Sequence, residues 1–250
     1  MNKEYVQQYV RLEKEHWWFV VRQKIILQFL KKYTKPQPIK ILNIGAAGGA
    51  SSEWLSTLGE VVSVETDPAF LNHLISENIP VVNASVVSMP FDNNYFDLVC
   101  AFDVIEHVED DVAAIKEIER VCKAGGLICI TVPAFNMLWS SHDVVNGHYR
   151  RYTIQSLLAL TEKVSTLENK NLQYFNSLLF IPVLIARKIS NGFTNNKKTA
   201  QSDFGLLKKA GVVNKIFKSI FSLEIPLLRV VRFPFGVSLV GIWKKSGSNK

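Results

Sequence analysis

The 250 residues carry 48% hydrophobic and 20% charged side chains, enough apolar material for one substantial core, so an α/β domain with an appendage is expected and a disordered chain is excluded. The formal charge of +7 is uneven, with 13 Lys/Arg against 2 Asp/Glu in residues 187–250 and 16 against 20 in residues 1–186. Cys100, Cys122 and Cys129 show no paired metal spacing and Met1-Asn2-Lys3-Glu4 opens no apolar signal run, so no metal and a reduced, cytoplasmic compartment are expected.

Residues 4–34 place aromatic and aliphatic side chains at helical spacing and stop before Pro36 and Pro38, which predicts an N-terminal helical cap over 1–38. From Ile39 the pattern becomes short apolar runs, Ile39–Ile44, Val61–Glu65, Val81–Val82, Asp97–Phe102 and Leu127–Val132, separated by amphipathic stretches. That alternation predicts βαβ units and a parallel sheet with helices on both faces, the core spanning 39–187. Thr153 is placed to cap a helix through about Lys163, leaving Asn171–Phe175 and Val237–Trp243 as a last strand pair. Residues 188–235 read as a basic and apolar insertion, where Asn191-Gly192 and Asn195-Asn196-Lys197-Lys198 mark a flexible excursion, and 236–250 as the final strand and tail. Arg187, Lys218, Glu224, Arg229 and Arg232 interrupt every apolar stretch there, so no spanning segment is expected. The cations together with Leu178-Leu179-Phe180-Ile181 and Ile225-Pro226-Leu227-Leu228 suit peripheral contact with the anionic inner face of a membrane. A nucleic-acid partner is not expected.

The first strand runs into Gly45-Ala46-Ala47-Gly48-Gly49, and Ser51-Ser52-Glu53-Trp54-Leu55 then opens a helix. Glycines there allow a tight turn and close backbone approach to a ligand, although an ordinary βα turn has the same look. The second strand ends at Glu65, where a carboxylate in an open α/β sheet faces the ligand crevice and can accept both ribose hydroxyl protons. Turn and carboxylate converge on a nucleoside.

At this point the chain resembles the class I S-adenosylmethionine-dependent methyltransferases. Ile41-Leu42-Asn43-Ile44-Gly45-Ala46-Ala47-Gly48-Gly49 is similar to their first motif, and Val64-Glu65-Thr66-Asp67-Pro68 to their acidic second-strand motif. The run from Met89 to Val99, then Asp103-Val104-Ile105-Glu106-His107-Val108, and Ala124-Gly125-Gly126 before strand five continue the match. The resemblance implies a Rossmann-like, mostly parallel seven-stranded sheet and S-adenosyl-L-methionine as cofactor. It places Gly45 and Gly49 beside the methionine moiety with Asn43 and Ala47 in the same motif, Glu65 and the adjoining Thr66 at the ribose, Ser85 and Val86 at the adenine edge, and Asp103 near the sulfonium. Asn43 stands where the family commonly has an acid, Ala47 replaces the middle glycine, and Ser85 replaces an adenine-facing aspartate. Alanine is tolerated at 47 if φ stays negative, whereas Ser85 loses a strong acceptor.

Methyl transfer from a sulfonium is an in-line displacement for which positioning supplies most of the catalysis, and an oxygen acceptor gains from a base near neutral pH. His107, His142 and His148 are the candidates, with Asp143 as a partner, and His107 also fits a structural role at a helix start. The segment from Ser141 to Thr153, together with Glu15-His16-Trp17-Trp18-Phe19 and Arg22, resembles a methyltransferase subgroup associated with cell-surface glycans and lipid-linked sugars. The same segment reads equally as a lid in which His148 and the arginines pair with Asp143. Trp18, Arg22, Arg150 and Tyr152 are candidates to hold a small-molecule, glycan or lipid-linked acceptor, the guanidinium groups suiting phosphate or carboxylate. An NAD-dependent oxidoreductase uses the same turn and acid, and a non-catalytic cofactor-binding or membrane-associated protein is a third reading, prompted by Asn43 and Ser85.

Overall fold

A computed structural model describes residues 3–34, 38–164, 166–193 and 211–247. The seven expected strands all form: β1 (Ile39–Ile44), β2 (Gly59–Glu65), β3 (Val81–Asn83), β4 (Phe96–Phe102), β5 (Cys122–Pro133), β6 (Leu167–Phe175) and β7 (Ser238–Lys245). Their order is β3-β2-β1-β4-β5-β7-β6. The first five pair in parallel, and β7 runs antiparallel to both neighbours.

Parallel strands must be covered on both faces, and alternate residues of the central strands divide accordingly. Leu42, Ile44, Val99, Ile128 and Ile130 face α5 (Asp111–Val121) and α7 (Ile154–Glu162), packing on Ile115, Ile118 and Leu157. Ile41, Leu98, Cys100 and Cys129 face the other way, onto Val21, Ile25, Ile26 and Leu30 of α2 (Trp17–Tyr33) and Phe221 of α9 (Gly211–Ser222). The three cysteines are buried free thiols.

The N-terminal run is two helices. His16 separates α1 (Lys3–Glu15) from α2, adopting extended backbone as the α2 N-cap while its ring accepts from the Trp18 N–H at 3.3 Å. Capping satisfies one of the orphan donors of a new helix start, which an unbroken helical pattern in sequence does not announce. Among the described residues the remaining α-helices are α3 (Ala50–Leu55), α4 (Pro68–Ser76), α6 (Ser141–Val145), α8 (Phe180–Phe193) and α10 (Glu224–Leu227), with short 3-10 turns at Ile105–His107 and Asn136–Leu138. Thr153 caps α7 as expected, accepting from the Ser156 N–H. Of the insertion expected over 188–235, residues 194–210, including Asn195 to Lys198, lie outside the described residues. The described parts on either side of that stretch include the rest of α8, then α9 and α10. No helix among the described residues is long and apolar enough to cross a membrane.

Candidate active site

β1 lies between β2 and β4, so the connections leaving its two sides diverge and open a crevice at the carboxyl edge of the sheet. A cleft of about 990 Å³ occupies that edge. Its floor begins at the turn after β1, where Gly45 and Gly49 take φ of +70° and +91° and an added Cβ would press on Val104 and Ile79, each at 2.7 Å. The condition for easy tolerance of alanine at 47, a negative φ, is not met: Ala47 sits at φ +46°. Its N–H donates to Glu65 Oε2 at 2.9 Å, an anchor that holds alanine in a conformation costing about 1–3 kcal/mol. Asn43 lies beneath the turn, fully buried, donating to the Ser51 and Ser52 hydroxyls at 2.8 and 2.9 Å. It shapes the turn from below rather than lining the cleft.

Glu65, 8% exposed, ends β2. Oε2 holds Ala47, while Oε1 accepts from the Thr66 and Asp67 N–H groups at 2.8 and 2.9 Å. Three backbone donors fix a carboxylate that still has acceptor capacity toward the cleft. Ser85 and Val86 line the same wall. The Ser85 hydroxyl accepts from the Val87 N–H at 3.4 Å, a local turn contact.

At the end of β4, Asp103 takes φ +54°. Its Oδ2 meets Arg22 Nη2 at 2.8 Å and its Oδ1 accepts from the Thr131 hydroxyl at 3.3 Å. Arg22 also donates to that hydroxyl at 3.0 Å and lies over the Trp18 ring at 4.5 Å. Trp17 is buried against Phe217 and Phe221, so of the two adjacent tryptophans, both of which border the cleft, Trp17 belongs chiefly to the core.

The opposite wall is the segment after β5. Asp143 is fully buried in α6 and receives the Ser140 N–H at 2.8 Å, His148 Nδ1 at 2.9 Å, and Arg151 Nε and Nη2 at 2.8 and 2.7 Å. Burial pushes its carboxyl up, but the bonds from His148 and Ser140 and the Arg151 charge outweigh that and hold it well below the usual carboxylate range. With Nδ1 committed, Nε2 is the remaining nitrogen of His148. The His107 and His148 rings meet edge to face at 4.6 Å, and desolvation by the surrounding cleft wall, then His148, lowers the pKa of His107 although the residue stays exposed. His142 lines the cleft with its ring against Asn146 at 3.2 Å. Arg150 and Tyr152 do not reach the cleft: both bond the Asp111 carboxylate, at 2.8 and 2.9 Å, and Arg150 also donates to the Glu109 carbonyl.

Two further residues carry signals that the linear sequence leaves weak. Glu13 of α1 reaches over the glycine turn to the Ala50 N–H at 3.4 Å, and its burial, stronger than the opposing bonds from Ala50 and Gly48, pushes its pKa up to about 8. Glu106 is fully buried at the cleft wall, and neither of its carboxylate oxygens has a hydrogen-bond partner. Burial and the Asp103 charge raise its pKa well above the usual range. Its only sequence signal is an acid immediately after the apolar pair Val104-Ile105.

A family model described as a methyltransferase domain matches residues 42–130, the stretch from within β1 to within β5. Over that stretch the chain is similar to S-adenosylmethionine-dependent methyltransferases. It is 25% identical over 125 residues to a Mycobacterium tuberculosis protein described as a probable S-adenosylmethionine-dependent methyltransferase, covering 49% of this chain and 44% of that one. It is 29% identical over 131 residues to a ubiquinone biosynthesis O-methyltransferase of Cereibacter sphaeroides, covering 45% and 50%. The chain thus spans about half the length of these curated relatives. Among solved structures, a SAM-dependent methyltransferase from Archaeoglobus fulgidus superposes with TM-score 0.59 at 15% identity, covering 95% of this chain and 99% of that one. The [4+2]-cyclase SpnF superposes with TM-score 0.58 at 12% identity, covering 90% and 81%. These two likenesses concern the fold.

Proposed function

We propose that this chain transfers a methyl group from S-adenosyl-L-methionine to an oxygen of a small-molecule acceptor with an apolar body. One observation carries the reading: a single cleft has a nucleoside-type wall at Gly45, Glu65 and Ser85 and, facing it, a buried Asp143 that orients His148. The residues fit the cofactor. The glycine turn permits close backbone approach, Glu65 has acceptor capacity for ribose hydroxyls, and Val86 offers an apolar adenine edge. When bound, the cofactor supplies a methyl group on a positively charged sulfur. Asp103, tied to Arg22 and Thr131, lies at the carboxyl end of β4 where that positive charge is favoured. Trp18 and Phe19 line the space left for the acceptor body, and the corner of Glu106, His107 and His148 activates its hydroxyl. The new C–O bond forms as the S–C bond breaks. An oxygen acceptor accords with the name of the Cereibacter relative.

Calorimetric titration with S-adenosylhomocysteine and with NAD tests the cofactor half: binding of the first and not the second is expected, and the reverse returns the oxidoreductase reading. His148→Ala tests the chemical half. It should retain cofactor affinity while losing about 10²-fold or more in methyl transfer to a hydroxylated acceptor.

A lipid-linked acceptor at a membrane surface is a finer reading favoured by one feature. Ile181, Ile185 and Ile189 of α8 follow helical spacing and are 54%, 53% and 55% exposed, with exposed Lys188 among them. Such a stripe suits shallow insertion into an anionic bilayer.

A further inference from the structure

We propose that Glu106, His107 and His148 bind a first-row divalent metal ion at the acceptor end of the cleft. One ligand atom from each lies within 4.8 Å of the other two, a spread that closes onto one ion, with bonds of about 2.0–2.2 Å, by small rotation of exposed His107. A cluster of ligand-type side chains is common without an ion, but Glu106 supplies an independent observation. It is 0% exposed, it lines the cleft, and both carboxylate oxygens lack a hydrogen-bond partner. A buried carboxyl without partners is kept either as the neutral acid or, when ionised, against a counter-charge or a metal, and a metal is the partner that would also enlist the two imidazoles beside it. Arg22 and Arg151 favour the charged form of Glu106 through their charge, but neither hydrogen-bonds it: Arg22 bonds Asp103 and Thr131, and Arg151 bonds Asp143 and the Ala134 carbonyl.

His148 has the second feature of a ligand. Its Nδ1 is bonded to a fully buried carboxylate at 2.9 Å, which fixes the ring and the tautomer and leaves Nε2 as the donor atom, the carboxylate–histidine–metal arrangement. One carboxylate and two imidazoles suit zinc, iron, cobalt or manganese and leave coordination positions open toward the cleft. The inference rests on the proposed methyl transfer, for which it supplies the activation step. An acceptor hydroxyl on the open side of the ion releases its proton to bulk water. Its oxygen lone pair then forms the new C–O bond, and the S–C electron pair remains on sulfur as the neutral thioether. Spacing alone conceals the site, because the third ligand comes from a different element.

The test is equilibrium dialysis of the full chain, freed of metal by chelator, against Co²⁺, read by elemental analysis and by the visible absorption of bound cobalt. One Co²⁺ per chain is expected. His107→Gln and Glu106→Gln should each weaken binding at least tenfold and abolish the visible bands, and Asp143→Asn should weaken it about 10- to 100-fold. His107 is exposed, so its substitution leaves the fold intact, and circular dichroism confirms this for each variant. No bound cobalt in the wild type, or affinity unchanged in the His107→Gln and Glu106→Gln variants, overturns the proposal. If cobalt does not bind while S-adenosylhomocysteine does and His148→Ala is inactive, only the metal falls. If S-adenosylhomocysteine does not bind either, the methyltransferase reading falls with it.

Discussion

The Arg22 guanidinium meets the Asp103 carboxylate at 2.8 Å, with side chains 10% and 23% exposed. The contact joins α2 to the carboxyl end of β4. Since the same guanidinium covers the Trp18 ring and bonds the Thr131 hydroxyl, one side chain fixes both the helix and the wall of the cleft.

Arg22→Ala should therefore cost about 3–5 kcal/mol of stability, because it leaves Asp103 a largely buried charge without its partner. Urea unfolding measures it. The double variant Arg22→Ala with Asp103→Ala should recover part of the loss, and strict additivity of the two single losses would show that the pair is not coupled.

Glu65→Ala should weaken S-adenosylhomocysteine binding by roughly 1.5–3 kcal/mol, the range for hydrogen bonds to a charged group. It also releases the Ala47, Thr66 and Asp67 N–H groups, so its melting temperature should be recorded alongside. Unchanged affinity in calorimetry would remove Glu65 from the cofactor wall.

Ala47→Gly should stabilise the chain by up to about 1 kcal/mol, since relief of the left-handed strain is partly offset by the freer unfolded glycine. A loss of stability would mean that the +46° conformation is not strained.

Glu13 gives the stability a pH dependence of predictable sign. Its pKa is raised from 4.5 to about 8, so folding takes up a proton between those values. The contribution is complete below about pH 4.5 and is lost as pH rises through 8. Glu13→Gln, which cannot ionise, should flatten that decline and gain on the wild type by on the order of 3 kcal/mol between pH 5 and 9. Parallel stability curves for the two proteins would refute the shift.

The α8 stripe makes a membrane prediction. Protein should pellet with anionic vesicles at low salt, remain in solution with neutral ones, and be released as salt screens the charges. Ile181→Asn with Ile185→Asn should abolish pelleting, and Lys215→Gln with Lys218→Gln should weaken it by about 1 kcal/mol per residue at most. No pelleting at low salt points to an acceptor free in solution.

Much of the fold was legible because strand and helix periods differ and the parallel strands are apolar on both faces; Ile41 and Leu42 are adjacent and both fully buried. The helix break at His16 was not, since a cap depends on one side-chain bond rather than on periodicity. In the cleft, glycine spacing and a carboxylate at a strand end exposed Gly45 and Glu65. Arg150 misled because charge type is visible in sequence while its partner Asp111 is set by the fold. Glu13 and Glu106 matter through burial, which an isolated acidic letter does not disclose.

The antiparallel β7 has a consequence for synthesis. It separates β6 from β5 and pairs with both, so β6 has no strand to join until residues 238–245 have left the ribosome. Until then the nascent chain presents two open hydrogen-bonding edges beside a finished five-stranded parallel half, the arrangement that invites pairing between chains. A chaperone that shields those edges, or slowed translation ahead of β7, would alter the yield of native protein without altering its final stability.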